Sequence, residues 1–281
     1  MAAPRELKRR IKSVRSSRQI TKALELVSSA KMRKASQAAV ADRPYSQALE
    51  SMISRALASD SEHLTHPLLH AKKGGRSLLI VLGADRGQAG AFTSNLLKAA
   101  VAFSAGHPGT YAVTVGKKAE AGLKRLGIPT IQNYPMPAAL ADPSDLNALA
   151  GFARAEFLSG DIREVHVLFT RFTSMLTQEA TVIPLLPVTP PTPVESSDVL
   201  FEPKASELLD LLLPYYADVQ LYQAALESAA SEHSARRLAM KSATDNATGM
   251  IDRLNLTYNQ LRQGAITREI AEITGGAAAL E

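Results

Sequence analysis

The two ends of the chain restrict its fold more than any other part of the sequence. Between Pro4 and Pro44 there is neither proline nor glycine, the two residue types that most disfavour a helix interior. Proline is well tolerated at the first helical position, so one long helix is predicted to begin at Pro4. Pro44 is expected to kink this helix without ending it, because residues 45–57 still suit a helix.

Apolar residues on this N-terminal segment form two helical stripes. Leu7, Ile11 and Val14 share one stripe, and Ile20, Leu24 and Val27 share a second. The polar run 16–19 separates them and is predicted to shift the phase. A stripe with such a shift is typical of a helix that winds around a partner helix.

The C-terminal end predicts the partner helix. Pro214 is the last proline, and from Tyr215 to Thr274 the only glycines are Gly249 and Gly264. At about 1.5 Å per residue this helix would extend on the order of 90 Å, far beyond a compact domain with a radius of gyration of about 19 Å. The prediction is therefore a rod joined to a globular lobe. Steps of four and three residues predict its coiled-coil seam, which comprises Ala229, His233, Arg236, Met240, Ala243, Ala247, Met250, Leu254, Thr257 and Leu261.

The middle of the chain alternates apolar runs with helical segments. Strands are predicted at 77–82, 111–115, 128–134, 164–171 and 178–186, and helices at 91–103, 117–126 and 146–158. This order favours a Rossmann-like α/β lobe with a mainly parallel sheet that ends in an antiparallel hairpin. A loop is expected from Pro184 to Pro193, before a short segment at 199–202. The predicted fold class is α/β with a long antiparallel coiled coil, divided into segments 1–58, 75–205 and 208–281.

Composition excludes several kinds of site. The chain has no cysteine, which rules out disulfides, thiolate zinc sites and iron-sulfur clusters. The histidines at 63, 66 and 70 have helical spacing, but Pro67 interrupts them, and His166 is interpreted as structural. The loop GADRGQAG, at 83–90, follows a strand as phosphate-binding loops do, yet it matches neither common glycine pattern. We predict no catalytic residue, no metal and no cofactor, and we interpret the loop as a turn in which Asp85 and Arg86 cap or pair locally.

Charge is concentrated at the N-terminus. Residues 1–43 hold twelve basic and three acidic side chains, while the whole chain has a net charge of +5. This segment therefore suggests an acidic partner, whether nucleic acid, lipid headgroups or a protein surface rich in carboxylates, with a solvated helix face as the alternative. A basic coiled-coil protein that binds nucleic acid remains an alternative, and it would bind with a steep salt dependence. No apolar run approaches the roughly 20 residues that span a bilayer, and the charged N-terminus is unlike a signal peptide.

Taken together, the two ends resemble one family. The sequence RELKRRIKSVRSSRQITKALELVSSAKMRKA at 5–35, DRPYSQAL at 42–49 and the whole C-terminal segment are similar to the gamma subunits of F-type ATP synthases. The resemblance covers the whole chain in the family's order. In the middle, IVLGADRGQAGAF at 80–92 stands where the family usually has a strand followed by SDRGLCGG. Ala84, Gln88 and the missing cysteine depart from that pattern, as does Leu24, where many members carry methionine.

The resemblance implies a non-catalytic central-stalk rotor that couples ion translocation, such as hydrogen ion transport, to ATP synthesis or hydrolysis. Its implied partners are the alpha and beta subunits of the catalytic head, the epsilon subunit and the membrane c-ring, with no nucleic acid. It implies a peripheral position on the cytoplasmic face of a bacterial plasma membrane.

The resemblance also assigns roles to individual residues. Arg262 and Gln263, with Thr267 nearby, would form a hydrogen-bonded catch toward a beta subunit loop. The implied coiled-coil and rotor interface comprises Lys22, Leu24, Lys31, Met240, Ile266 and Ile270. Together with spacing, the resemblance predicts that Ile266, Ile270, Ile273 and residues 277–280 form a tip deep in the ring of the head.

Overall fold

The computed structural model describes residues 2–59, 66–72, 74–137, 140, 142–189, 201–202 and 204–278, with the side chains of 2–4, 59 and 276–278 left aside. The chain forms two compact units. The helical unit consists of residues 1–28 and 237–281, and the α/β unit consists of residues 29–236. Both units therefore contain parts of both terminal helices. The division into segments 1–58, 75–205 and 208–281 stays a prediction.

Helix α1 covers Ala2–Ser59 and continues through Pro44, as predicted. Its least exposed positions recur in steps of four and three residues, which is the 3.5-residue repeat of a coiled coil. In the helical unit these are Leu7, Ile11, Val14, Arg18, Thr21, Glu25 and Ser28. In the α/β unit they are Met32, Ala35, Ala39, Asp42, Ser46, Leu49, Ile53 and Ala56.

The predicted phase shift in α1 is therefore wrong. Ile20 is 60% exposed and Val27 is 53% exposed, so the second apolar stripe is directed away from the seam. The seam instead continues through polar residues. Thr21 is satisfied there by a hydrogen bond between its hydroxyl and that of Thr244, 2.8 Å away. A polar seam position is tolerated when its group finds a partner across the seam.

Helix α5 covers Ala205–Ala278 and includes Pro214, so it begins earlier than the sequence indicates. Its predicted seam is only partly right in the helical unit. Met240 and Ile251 are each 6% exposed, whereas Met250 is 52% exposed. Thr257 and Leu261 are also exposed, and the half-buried positions are Ala243, Thr244, Ala247, Leu254, Asn255 and Tyr258. The seam therefore passes through Ile251, one residue beyond the predicted Met250.

Five strands form one sheet in the α/β unit: β1 (Arg76–Leu82), β2 (Tyr111–Val115), β3 (Thr130–Tyr134), β4 (Ile162–Phe172) and β5 (Gln178–Leu186). Their order is β3-β2-β1-β4-β5. All neighbouring pairs are parallel except β4 and β5, which form the predicted antiparallel hairpin. The intervening helices are α2 (Phe92–Gly106), α3 (Lys117–Arg125) and α4 (Asn147–Ser159).

Strand alternation gives the sheet two buried faces. Leu79 and Val81 of β1 pack in one cluster with Leu96 of α2 and Leu123 of α3. Leu78, Ile80 and Leu82 point to the other face, where α4 and both terminal helices cover them. The terminal helices run antiparallel there, because Gln223 donates to the Ala39 carbonyl while Gln220 donates to Glu50. The predicted fold class is thus confirmed.

Two details of the middle segment differ from the prediction. Pro184 belongs to β5 and not to a loop, and it lies opposite His166 next to a shift in register. Proline is compatible with this position because β5 is an edge strand and needs no donor on its outer side. Half of the predicted piece at 199–202, residues 199 and 200, lies outside the described residues. Within the described part of the chain, no helix combines the length and apolar character needed to cross a membrane.

Candidate functional site

The C-terminal part of α5 exposes one side that carries the predicted catch. Arg262, Gln263 and Thr267 are all exposed. The isoleucines next to them are exposed as well, with Ile266 at 47%, Ile270 at 57% and Ile273 at 67%. Their spacing of four and three residues places the isoleucines on one helix face, which we call the α5 tip face together with Arg262 and Gln263. Exposed apolar side chains grouped in this way are typical of an interaction site.

The polar residues of the same helix segment are distributed unevenly around it. By helical geometry Arg268 and Glu272 lie on the side away from the isoleucines. Ala265 is the only half-buried residue from Leu261 to Gly275. The whole segment, with the α5 tip face, is therefore at the surface of the chain and not in its core. The last predicted tip residues, 277–280, lie outside the described side chains.

The remaining predicted interface residues lie in other places. Lys22 makes an ion pair with Glu25 at 3.1 Å, and Leu24 is half-buried beside it. Met240 is buried in the helical unit, and its carbonyl accepts from the Thr244 hydroxyl at 2.8 Å. Because Thr21 contacts Thr244, Leu24 and Met240 lie at the same level of this helix pair. Arg262 lies about 27 Å beyond Thr244 along α5, at 1.5 Å per residue. The predicted interface residues therefore form two separate groups.

Lys31 belongs to the α/β unit and faces a group of charged residues. The side chains of Glu232 and Arg236 form an ion pair on α5 in which both are about nine-tenths buried. Burial raises the pKa of Glu232, while Arg236 and Lys31 oppose that shift. Burial also lowers the pKa of His233 to about 4, helped by the positive charges of Arg236 and Lys31. His233 is therefore neutral at pH 7.

Four α5 side chains attach the helix to the sheet, and we call them the α5 clamp: Ser228, Ser231, Ser234 and Arg236. Ser228 donates to the carbonyl of Leu82 at the end of β1, at 2.9 Å. Ser231 donates to Thr170 of β4 at 2.9 Å, and Ser234 donates to Met175 in the β4–β5 turn at 2.8 Å. A net contribution of about 0.5–1.5 kcal/mol is typical of each such bond.

The fourth clamp residue holds the loop at 83–90. Arg236 donates to the carbonyls of Arg86 and Gly87, at 3.2 Å and 3.5 Å. Asp85 accepts from the backbone nitrogen of Lys117 at 3.1 Å and so caps α3, which confirms the predicted local role. A Cβ at Gly83 would lie 2.5 Å from that of Ala119, so glycine is required for this close approach. Gln88 has a φ of 63°, which shows how tightly the loop turns.

The clamp lies at the edge of the sheet where the β-strands end. In open parallel sheets, ligands bind at the carboxyl ends of the strands, near the point where the strand order reverses. Here α5 occupies that edge beside β1 and β4, and Ala235 packs against Ala84, Ala89 and Phe92. The edge is thus used for packing within the chain.

Sequence reasoning did not identify the clamp. Its signal is the repeat of serine every three residues at 228, 231 and 234, inside a segment otherwise rich in alanine and leucine. The acceptors are backbone carbonyls far away in sequence, so spacing alone does not reveal them. The contact between Thr21 and Thr244 was not predicted either, because it depends on the register between α1 and α5.

Comparison with known proteins places the chain among its relatives. The family model described as ATP synthase matches residues 3–280. The chain is 41% identical to the ATP synthase gamma chain of Pelotomaculum thermopropionicum over 285 residues, covering 100% of both chains. It is 39% identical to the ATP synthase gamma chain of Desulforamulus reducens over 284 residues, again covering 100% of both.

Solved structures share the fold. A chain from the rotor of the Euglena gracilis mitochondrial ATP synthase aligns with a TM-score of 0.66 at 18% identity, covering 94% of this chain and 99% of that one. A chain from the OSCP/F1/c-ring part of the same synthase aligns with a TM-score of 0.69 at 20% identity, covering 99% of this chain and 95% of that one. With the family match and the full-length identities above, the chain belongs to the ATP synthase gamma chain family.

Proposed function

We propose that this chain is the central-stalk rotor of an F-type ATP synthase, which transmits torque between a membrane c-ring and a catalytic head of alpha and beta subunits. The observation that carries this proposal is the α5 tip face, where three isoleucines are exposed beside Arg262 and Gln263. Membership of the gamma chain family supports it. The proposal includes contacts with the epsilon subunit through the α/β unit.

Within the head, Arg262 and Gln263 act as the catch toward carboxylates of a beta subunit, with Thr267 beside them. A guanidinium presents a planar set of donors that matches a carboxylate in two parallel bonds. The basic side chains of α1 in the helical unit have a related role. Exposed Arg9, Lys12 and Arg15 offer positive charge to acidic surfaces, and exposed Lys22 continues this series.

The chain itself is proposed to be non-catalytic. The use of the sheet's carboxyl edge by α5 supports this, since that edge is where α/β enzymes build their sites. The work that passes through the rotor is large. Each elementary charge that crosses a membrane at 100 mV supplies about 2.3 kcal/mol, so several charges per turn exceed what any one contact withstands. The load must therefore be shared by broad packing.

The proposed function also implies a location for the chain. The chain is peripheral and reaches the membrane through its complex, on the cytoplasmic face of a bacterial plasma membrane. The full-length bacterial relatives support this location.

A double substitution tests the catch. We expect Arg262→Ala with Gln263→Ala to lower ATP synthesis by the reconstituted complex about tenfold, the effect of losing roughly 1.4 kcal/mol of stabilisation. Arg268→Ala is the matched control, because it removes a charge from the opposite side of the same exposed helix segment. The helical content of the purified chain should be unchanged in both variants.

Two outcomes would show that Arg262 and Gln263 do not form a directed catch. Wild-type rates in the double variant would overturn the catch assignment. Equal losses in the double variant and in Arg268→Ala would mean that the segment responds to charge alone and has no directed face.

A further inference from the structure

We propose that the α5 clamp, formed by Ser228, Ser231, Ser234 and Arg236, is the rigid joint through which torque passes between the sheet of the α/β unit and helix α5. This inference rests on the proposed function. It assigns a mechanical positioning role to three serines and one arginine for which packing alone would be the simplest explanation.

The acceptors of the clamp make the joint stiff. Ser228, Ser231 and Ser234 bond to main-chain carbonyls of β1, β4 and the turn that joins β4 to β5. Main-chain acceptors cannot move away by a change of rotamer. Two anchor points on neighbouring strands and one in the turn therefore resist rotation of α5 about its own axis, which one anchor point would not.

Burial raises the cost of breaking the joint. Ser228, Ser231 and Ser234 are 1%, 0% and 2% exposed. If α5 turned or slid, the buried carbonyls of Leu82 and Thr170 would lose the hydroxyls that bind them, and buried groups without a partner are costly. Displacement is therefore opposed by several bonds at once.

The clamp serines behave differently from exposed threonines of α5. Thr248 and Thr257 donate to carbonyls four residues earlier in their own helix, at 3.0 Å each. That is the usual local bond of a helical hydroxyl. Ser228 and Ser231 instead direct their hydroxyls to the sheet. The same residue class thus satisfies itself locally where α5 is exposed and across elements where it is clamped.

The charged end of the clamp fixes the loop at 83–90 to the same helix. Arg236 reaches the carbonyls of Arg86 and Gly87 while it is paired with Glu232. Asp85 of this loop caps α3 at Lys117, so α3 is connected to α5 through the loop. The clamp therefore connects α5 with β1, β4 and α3.

The test compares two pairs of serines in the complete reconstituted complex. Ser228→Ala with Ser231→Ala removes two clamp bonds. Ser94→Ala with Ser159→Ala is the matched control, because these exposed hydroxyls donate to carbonyls three residues earlier in α2 and α4. The measurement is the number of protons pumped per ATP hydrolysed, at zero gradient and against an opposing membrane potential.

We expect the clamp variant to pump normally at zero gradient and to lose at least half of its protons per ATP against the opposing potential. The control variant should match the wild type under both conditions. A purely structural role would lower the amount of assembled complex and leave the ratio unchanged at every load. An unchanged ratio in assembled clamp variant therefore overturns the inference.

A second variant covers the case in which the double substitution does not assemble. Ser234→Ala removes the bond to Met175 and the bond of 3.4 Å that Gln178 donates to the same hydroxyl, and it should cause a smaller loss under load. If the double variant does not assemble and assembled Ser234→Ala pumps under load like the wild type, the inference is also overturned. Failure of the proposed function is distinguishable from failure of this inference. In that case the wild-type complex itself would show no pumping that depends on this chain.

Discussion

Helix α5 has two very different surroundings along its length. In the α/β unit its residues are buried on more than one side, as Leu213, Leu221 and Ala225 illustrate. In the helical unit only a narrow seam is buried, at Met240 and Ile251, and most of the remaining surface is exposed. A helix apolar on many sides is typical of a core element, whereas a narrow stripe is typical of a pair of helices.

The difference indicates how one helix serves two purposes. The α/β unit fixes α5 through its own core and through the clamp. The helical unit holds α5 against α1 and leaves the α5 tip face available to other subunits. Substitutions of core residues in the α/β unit should therefore change the stability of the chain, and substitutions on the α5 tip face should change the function of the complex.

The largest expected effect is a difference in stability between a core substitution in the α/β unit and a substitution on the α5 tip face. Phe157 is fully buried in the main core, and Phe157→Ala should lower the free energy of unfolding by about 3–5 kcal/mol. Ile270→Ala, at an exposed site, should change it by less than about 0.5 kcal/mol. Denaturant unfolding of the purified chain measures both. Similar losses would show that the tip face is packed within the chain.

The next effect tests the position of the coiled-coil seam. Ile251→Ala should destabilise the helical unit by about 2 kcal/mol, at the low end for a buried isoleucine because a helix pair can relax. Met250→Ala, one residue away and half exposed, should cost less than about 0.5 kcal/mol. Thermal unfolding followed by circular dichroism measures the difference. A larger loss of stability in Met250→Ala than in Ile251→Ala would support the seam predicted from the sequence.

A smaller effect concerns the hydrogen bond across that seam. Thr21 and Thr244 share a bond of 2.8 Å. A double-mutant cycle with Thr21→Val and Thr244→Val should give a coupling energy of about 0.5–1.5 kcal/mol. A coupling energy near zero would mean that the two hydroxyls do not interact in solution.

The last expected effect is a pH dependence within the charged cluster of the α/β unit. His233 has a pKa of about 4 in the fold and an ordinary value of 6.5. Between those pH values the unfolded chain holds the proton and the folded chain does not, so this group lowers stability as the pH falls. The raised pKa of Glu232 acts in the opposite direction, because the folded chain takes up that proton first.

A substitution separates the two contributions. His233→Gln should be relatively more stable than the wild type at pH 4.5 than at pH 7.5, as measured by urea unfolding at both pH values. Parallel stability curves would show that His233 is accessible enough to titrate normally in the fold.

Much of the fold could be predicted from local patterns. The bounds of β2 and β5 agree with the predicted strands, because each is a short apolar or β-branched run between turn residues. The two terminal helices were predicted from the absence of proline and glycine. Pro214 misled the prediction of where α5 begins, because the helix starts at Ala205 and continues through this proline.

The seam and the clamp could not be predicted because they depend on partners distant in sequence. Met250 and Ile251 are adjacent and both apolar, so periodicity does not decide which one is buried. Ser228 and Ser231 are ordinary helix-surface residues until the sheet edge is placed beside them. The roles of Arg262, Gln263 and Thr267 came from the resemblance and remain proposals, although all three are exposed.

Direct observation of rotation is the measurement closest to the central claim. The chain has no native cysteine, so Val101→Cys on the exposed side of α2 provides a single thiol for a bead. With the alpha and beta subunits immobilised on a surface, ATP should drive continuous rotation of the bead in one direction. A bead that stays still while the attached complexes hydrolyse ATP would contradict the claim that this chain is a rotor.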